Sequence, residues 1–265
     1  MSLRFQSLRS SSAGNCLALW TPASSILIDC GVKVQRDFRE MLEAHRRRAG
    51  HLDAVVVSHA HGDHAAYGSL RVLAREGIPV LADRSAIAHV RDTQAPQEWR
   101  DQLRLHAFAR TGFLAGDFHL RPIEVPHTPG VTTFGFVITV RDHAGTRTVV
   151  VCTDFNDYSG VLPHFAGADL IFVEANHDLA LLRQHPNPNS RYHLNNAKTA
   201  SLLQHAVAGS AGPPRAVMLG HLSEERNRRV LALGEVTRLF ARQATPMRFH
   251  LDAAPARRES EVIEI

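Results

Sequence analysis

An apolar run, Ala54-Val55-Val56-Val57, breaks off into Ser58-His59-Ala60-His61-Gly62-Asp63-His64. Nothing else in the chain limits its architecture so tightly. A buried strand that ends in three imidazoles and a carboxylate needs a fold that gathers strand ends at one partly closed edge. His59 and His61, two positions apart, can turn both rings into one site from an extended loop. Asp63 and His64 can serve a neighbouring site. Borderline-soft divalent metals favour N and O ligands of this kind, and an open coordination position makes such a site catalytic. A solvated histidine-rich loop is the competing account, because the chain holds 17 histidines. The strand directly before the cluster argues against it, and so do the partners found later in the sequence.

Three further segments end the same way. Val125-Pro126-His127 precedes a Thr-Pro-Gly turn, Val149-Val150-Val151-Cys152-Thr153-Asp154 ends in a carboxylate, and Ala216-Val217-Met218-Leu219-Gly220-His221 ends in an imidazole. A lone strand-end histidine is usually an ordinary surface or core residue. Four apolar strands ending in His or Asp are not independent, because strands of one sheet deliver their ends to a common edge where sites gather.

Around these segments strands and helices alternate. Strands are expected at 4–8, 16–20, 25–29, 53–57, 79–82, 118–125, 132–141, 147–152, 170–174 and 216–219. Helices are expected at 34–48, 66–76, from 85 onward, at 195–208 and at 224–242. A hairpin turn is expected at 142–145, and residues 93–104 fit neither pattern. The stretch 112–116 looks like a passage between two halves. With 265 residues and no low-complexity linker, the expectation is one domain over 1–265.

Composition narrows the partners. Hydrophobic residues at 44% and charged residues at 21% suit a soluble globular chain. Of 30 basic residues only Lys33 and Lys198 are lysines; guanidinium suits phosphate recognition, although a GC-rich coding bias gives the same excess. A net charge of +4 permits a polyanionic substrate without requiring one. Cys16, Cys30 and Cys152 show no paired spacing and read as reduced thiols. The first residues lack a signal-peptide core and no run reaches membrane-spanning length, so a cytoplasmic location and no membrane partner are expected.

The order His59-x-His61-x-Asp63-His64, His127, Asp154, His221 resembles the metallo-β-lactamase fold superfamily. The resemblance implies an α/β fold, a four-layer αββα sandwich of two similar halves with the metal cleft at one sheet edge. It implies two divalent ions, zinc first and manganese as an alternative. His59, His61 and His127 would hold one, Asp63, His64 and His221 the other, and Asp154 both. Ser12-Ala13-Gly14-Asn15-Cys16, Glu174-Ala175-Asn176-His177-Asp178, Tyr192-His193-Leu194-Asn195-Asn196 and the segment His221 to Asn227 are similar to the YycJ-type (WalJ-like) branch. That branch implies a DNA exonuclease-like hydrolase, related to the tRNA 3′-processing phosphodiesterases. Asn195 stands where many relatives carry Ser, and nothing resembles the large cap domain of some nucleic-acid-processing members. Lactamases of this fold generally lack the bridging carboxylate, so Asp154 argues against antibiotic hydrolysis.

The expected function is therefore two-metal phosphodiester hydrolysis on nucleic acid, DNA before RNA. Asp63 would also orient the attacking water, and His193 would protonate the leaving group or bind phosphate near the start of a helix. Capping of that helix is the plainer reading of His193. Glu174 and His177 would orient ligands, while Ser223 and Asn227 would fix the loop of His221. Arg183, Arg191, Arg226, Arg228 and Arg229 could follow a phosphate backbone or simply be solvated. Tyr158 and Tyr192 are the candidate stacking rings. Hydrolysis of a small ester or cyclic phosphodiester in the same site is the enzyme alternative; a binding module with purely structural metals is the non-enzymatic one.

Overall fold

A computed structural model describes residues 2–94, 97–142 and 145–265. The chain begins with β1 (Arg4–Ser11), β2 (Gly14–Trp20), β3 (Ser25–Ile28), α1 (Gln35–Ala49), β4 (Ala54–Val56), α2 (Tyr67–Glu76), β5 (Val80–Ala82), α3 (Arg84–His89), α4 (Gln97–Arg100) and β6 (Leu105–Ala107). It continues through β7 (Phe113–Ala115), β8 (Phe118–Val125), β9 (Thr133–Asp142), β10 (Gly145–Cys152), β11 (Leu170–Glu174), α5 (Leu179–Gln184), α6 (Asn196–Ala208), β12 (Ala216–Gly220), α7 (Arg229–Arg242), β13 (His250–Ala253) and β14 (Ile263–Glu264).

Two seven-stranded sheets result, in the orders β14-β1-β2-β3-β4-β5-β6 and β13-β12-β11-β10-β9-β8-β7. The period of two along each strand builds the layers. Ala54 and Val56 face the second sheet, while Val55 and Val57 face α1 and α2. Leu170 and Phe172 meet them from the other side, and Ile171 and Val173 pack under α6 and α7. The expected αββα sandwich is therefore the observed fold, and the chain crosses between sheets from Ala107 to Phe113.

β3, β4 and β5 run parallel, as do β10, β11 and β12. β8 and β10 are each antiparallel to β9 and so point the same way. The ends that carry the chemistry-bearing residues therefore share one rim of the sandwich. The helix expected from 224 begins instead at Arg229, because residues 223–227 spend their polar groups bracing a loop. Of residues 93–104, the first two end a π-helical turn, Val90–Gln94, and Gln97–Arg100 form α4; residues 95 and 96 lie outside the described residues. Of the hairpin turn expected at 142–145, residues 143 and 144 lie outside the described residues; β9 and β10 pair antiparallel on either side of them.

One core residue is polar for a measurable reason. His45 of α1 is wholly buried, its Nε2 2.7 Å from Ser25 Oγ, its ring edge-on to Trp20, and its Nδ1 without a partner. Burial, reinforced by Arg48 and Arg46, pushes its pKa down to about 4. The unfolded chain protonates here below about pH 6.5, whereas the folded chain does so only near 4. Stability present at neutral pH is thus lost as the pH falls through that window, by about 1.4 kcal/mol per unit. Urea unfolding of the native chain should lose about 2 kcal/mol more than His45→Leu does between pH 6.5 and 5. Parallel pH profiles for the two proteins would refute this assignment.

Candidate metal centre

Backbone packing sets the histidine loop before any side chain acts. Asn15 N–H donates to Asp63 O at 2.8 Å, and Cys30 N–H donates to His64 O at 2.7 Å. Gly31 N–H donates to Asn15 O, which ties the β1–β2 turn to the end of β3. A Cβ on Gly31 would fall 1.7 Å from Asp63 O, so only glycine lets the two loops meet. The Ser12-Ala-Gly-Asn segment singled out in the sequence is thus a brace for the loop of His59 to His64.

All seven residues expected as ligands converge. His59, His61 and His127 form one group able to hold a metal ion, with ligand atoms within 4.8 Å of one another; Asp63, His64 and His221 form another. Asp154 lies between them. Its Oδ2 is 3.1 Å from His64 Nε2, and its Oδ1 is 3.6 Å from His221 Nε2 and 3.8 Å from His127 Nε2. Asp63 Oδ2 lies 3.4 Å from His221 Nε2 and 3.6 Å from His64 Nε2.

The outer faces of these rings decide which nitrogen points inward. His64 Nδ1–H donates to Asp29 Oδ2 at 2.7 Å, and His127 Nδ1–H donates to Tyr192 O at 3.2 Å. Ser58 Oγ–H donates to Asp29, which leaves its oxygen to accept from His59 Nδ1–H at 3.0 Å. His221 Nδ1 faces Glu174 Oε2 at 3.4 Å. Each ring is thereby fixed with its Nε2 turned inward, the arrangement metal-ligating histidines need, and Asn15 Nδ2 lies 3.1 Å from that of His64.

Those inward lone pairs face other lone pairs. His59 Nε2 is 3.0 Å from His61 Nδ1, and Asp154 Oδ2 is buried with no hydrogen-bond donor. Buried acceptors that face one another are costly unless positive charge sits between them. The electrostatics agree. Burial opposes protonation of His221, yet Asp154, Asp63 and Glu174 push its pKa up to about 10. Burial likewise opposes charge on His64, and Asp154, Asp29 and Asp63 overcome it. His59, burdened by burial and by His64, is held below its ordinary value. Two divalent ions fit this donor set in number and kind.

Glu174, wholly buried at the end of β11, ties the late motif together. Its Oε1 accepts from Phe155 N–H and Leu194 N–H, both at 2.9 Å, and its Oε2 accepts from His193 Nδ1–H at 3.1 Å. Burial opposes its ionisation, but His193 and His221 hold its pKa at about 2. His193 stacks on His221 with 5.2 Å between ring centres, leaving its Nε2 for the cleft. Asn195, not His193, caps α6, accepting from Lys198 N–H.

Asn227 Nδ2 donates to Ala175 O and Asn196 Oδ1, and Ser223 N–H donates to Asn176 O, so both brace the loop of His221. His177 is buried beside Asn176 and belongs to none of the groups able to hold a metal among the described residues. Tyr192 lines the cleft, whereas Tyr158 packs on the α6 side. Asp29 escaped the sequence reading although it braces His64. Its signal was present in the polar Asp-Cys-Gly ending of β3.

Residues 24–221 match the family described as "Beta-lactamase superfamily domain". The chain belongs to this superfamily. Within the superfamily it is similar to the exodeoxyribonuclease WalJ of Streptococcus pneumoniae, 25% identical over 241 residues that span 86% of this chain and 85% of that protein. Ribonuclease Z of Azobacteroides pseudotrichonymphae is 27% identical over 260 residues, 81% of this chain and 83% of the relative. The crystal structure of the metallo-beta-lactamase fold protein YhfI from Bacillus subtilis superposes over 100% of both chains with a TM-score of 0.74 at 19% identity, and shares the fold. Its family and its donor set make it a metal-dependent hydrolase.

Proposed function

We propose that the chain is a two-metal phosphodiesterase acting on nucleic acid, DNA before RNA, from a strand end. The observation that carries this is Asp154, a buried carboxylate with one oxygen toward His64 and the other toward His127 and His221. A carboxylate so placed can be shared by two ions and set their spacing. His59, His61 and His127 would hold the first ion and Asp63, His64 and His221 the second, with Asp154 common to both. Two such ions lower the pKa of water toward neutrality and neutralise charge on a phosphodiester; zinc suits the donors, and manganese is compatible.

The chain's own groups do the rest. Asp63, about a fifth exposed at its side chain, orients the attacking water from the cleft wall. Glu174 holds His193 by Nδ1, so that Nε2 can protonate the departing oxygen or bind the phosphate. The relatives' names, an exodeoxyribonuclease and a ribonuclease, support a nucleic-acid substrate.

The cleft bounded by His61, Asp63, Asp154 and His193 encloses about 250 Å³, below the usual range for a drug-sized ligand.

The test assays end-labelled single- and double-stranded DNA and RNA beside bis-p-nitrophenyl phosphate, using protein reconstituted with zinc or manganese. The expected result is two ions per chain by elemental analysis and progressive shortening of DNA. Absence of metal uptake, or turnover confined to the small diester, would reject the proposal.

A further inference from the structure

Three of the five arginines of the late motifs are spent within the protein itself. Arg229 binds Asp252 and the Ala253 carbonyl, which locks α7 to β13. Arg228 donates to carbonyls of its own loop, and Arg191 lies over the Tyr192 ring. Arg226 lines a hollow beside the cleft but pairs with Glu225 there.

That hollow, about 520 Å³, shares Ser12, Asn189 and His193 with the metal cleft. A second, about 430 Å³, shares Ala13 and Arg257 with the first. A third, about 350 Å³, shares Arg9, Asp37 and Arg257 with the second. The three adjoin one another in a row from the cleft, past the tip of the β1–β2 hairpin, to the face of α1, and together outline a groove.

The charges along the groove are unevenly spent. Glu224 pairs with Arg257, and Glu225 with Arg226. Asp37 and Glu40 lie against Arg36, and Glu259 against Arg48. Arg9, Lys33 and Arg258 line the groove, and among the described residues their side chains make no hydrogen bond or ion pair. A β-bulge between Ser7 and Arg9 re-aims Arg9 away from its place in the regular alternation. Val34, 53% exposed beside Lys33, adds an apolar surface for a base.

We infer that this groove is the path of the uncleaved part of a single DNA strand, with Arg9, Lys33 and Arg258 on its phosphates. The inference rests on the proposed nuclease activity and adds to it the surface that selects a polymer. The amide-rich first hollow, with Asn187 and Asn189, would take the nucleoside next to the scissile phosphate.

The experiment measures binding of a phosphorothioate single strand of about 16 nucleotides to the metal-loaded protein as salt is raised. The phosphorothioate keeps the charge and slows cleavage. Each lost contact to a single strand flattens the log–log salt slope by about 0.7. The triple variant Arg9→Gln, Lys33→Gln, Arg258→Gln should therefore be shallower by about 2, and Lys33→Gln alone by about 0.7. The ratio of kcat/KM on that strand to kcat/KM on a dinucleotide should fall in step.

Metal content and thermal midpoint of each variant show that it is folded. An unchanged slope and ratio in folded variants, with the native protein degrading DNA, overturns the groove assignment and leaves the nuclease reading standing. A native protein inert on DNA overturns both.

Discussion

Asp154→Ala is expected to abolish hydrolysis, with a loss on the order of 10³-fold or more, above the 10²–10³ that one missing transition-state hydrogen bond costs. Asp154 touches three of the inward-facing imidazoles, so its removal takes away both shared oxygens and the negative charge that favours cations there. Asp154 also sits at φ 60°, a left-handed backbone that alanine tolerates poorly. Asp154→Asn is the sharper variant, because asparagine accepts that conformation and lacks only the charge. Both variants should lose metal by elemental analysis while keeping a cooperative unfolding transition. Near-normal turnover with two ions retained would mean that Asp154 does not bridge.

His193→Ala is expected to lower kcat by about 10²–10⁴-fold, the usual contribution of a general acid, with metal content unchanged. Glu174 fixes the ring, and the stacking on His221 leaves one nitrogen for the substrate. The defect should shrink on a p-nitrophenyl diester, whose leaving group needs little protonation. His193 also stands within reach of two groups able to hold metal, one with His127 and Asp154 and one with Glu174 and His221. Loss of one ion in His193→Ala would therefore reassign it as a ligand, and unaltered kinetics on DNA would leave it a structural residue.

The seven convergent residues were legible because each follows an apolar strand, and parallel strands must deliver their ends together. What lay behind them was harder to read. Asp29 looks like any polar residue after a strand, and only the packing of β3 against β4 places it on His64. Arg228 and Arg229 sit in a promising motif, but sequence does not say whether a guanidinium points to solvent or to a nearby carbonyl. The groove cations were invisible for a related reason: Arg9, Lys33 and Arg258 come from the first hairpin, the loop after β3 and the chain's final segment. The strands β6 and β13 escaped notice because they are short and half exposed at sheet edges, without the alternation that marks a strand.

Asp29, Asp154 and His221 share a left-handed backbone, with φ of 63°, 60° and 51°. For non-glycine residues that conformation costs about 1–2 kcal/mol, least for aspartate. Stability and chemistry therefore pull in opposite directions at these three positions. Glycine would relax each turn and remove the very side chain that the turn exists to aim. A programme that hardened this protein by repairing backbone irregularities, choosing substitutions on melting temperature alone, would be drawn to these sites and would produce a sturdier, inert protein.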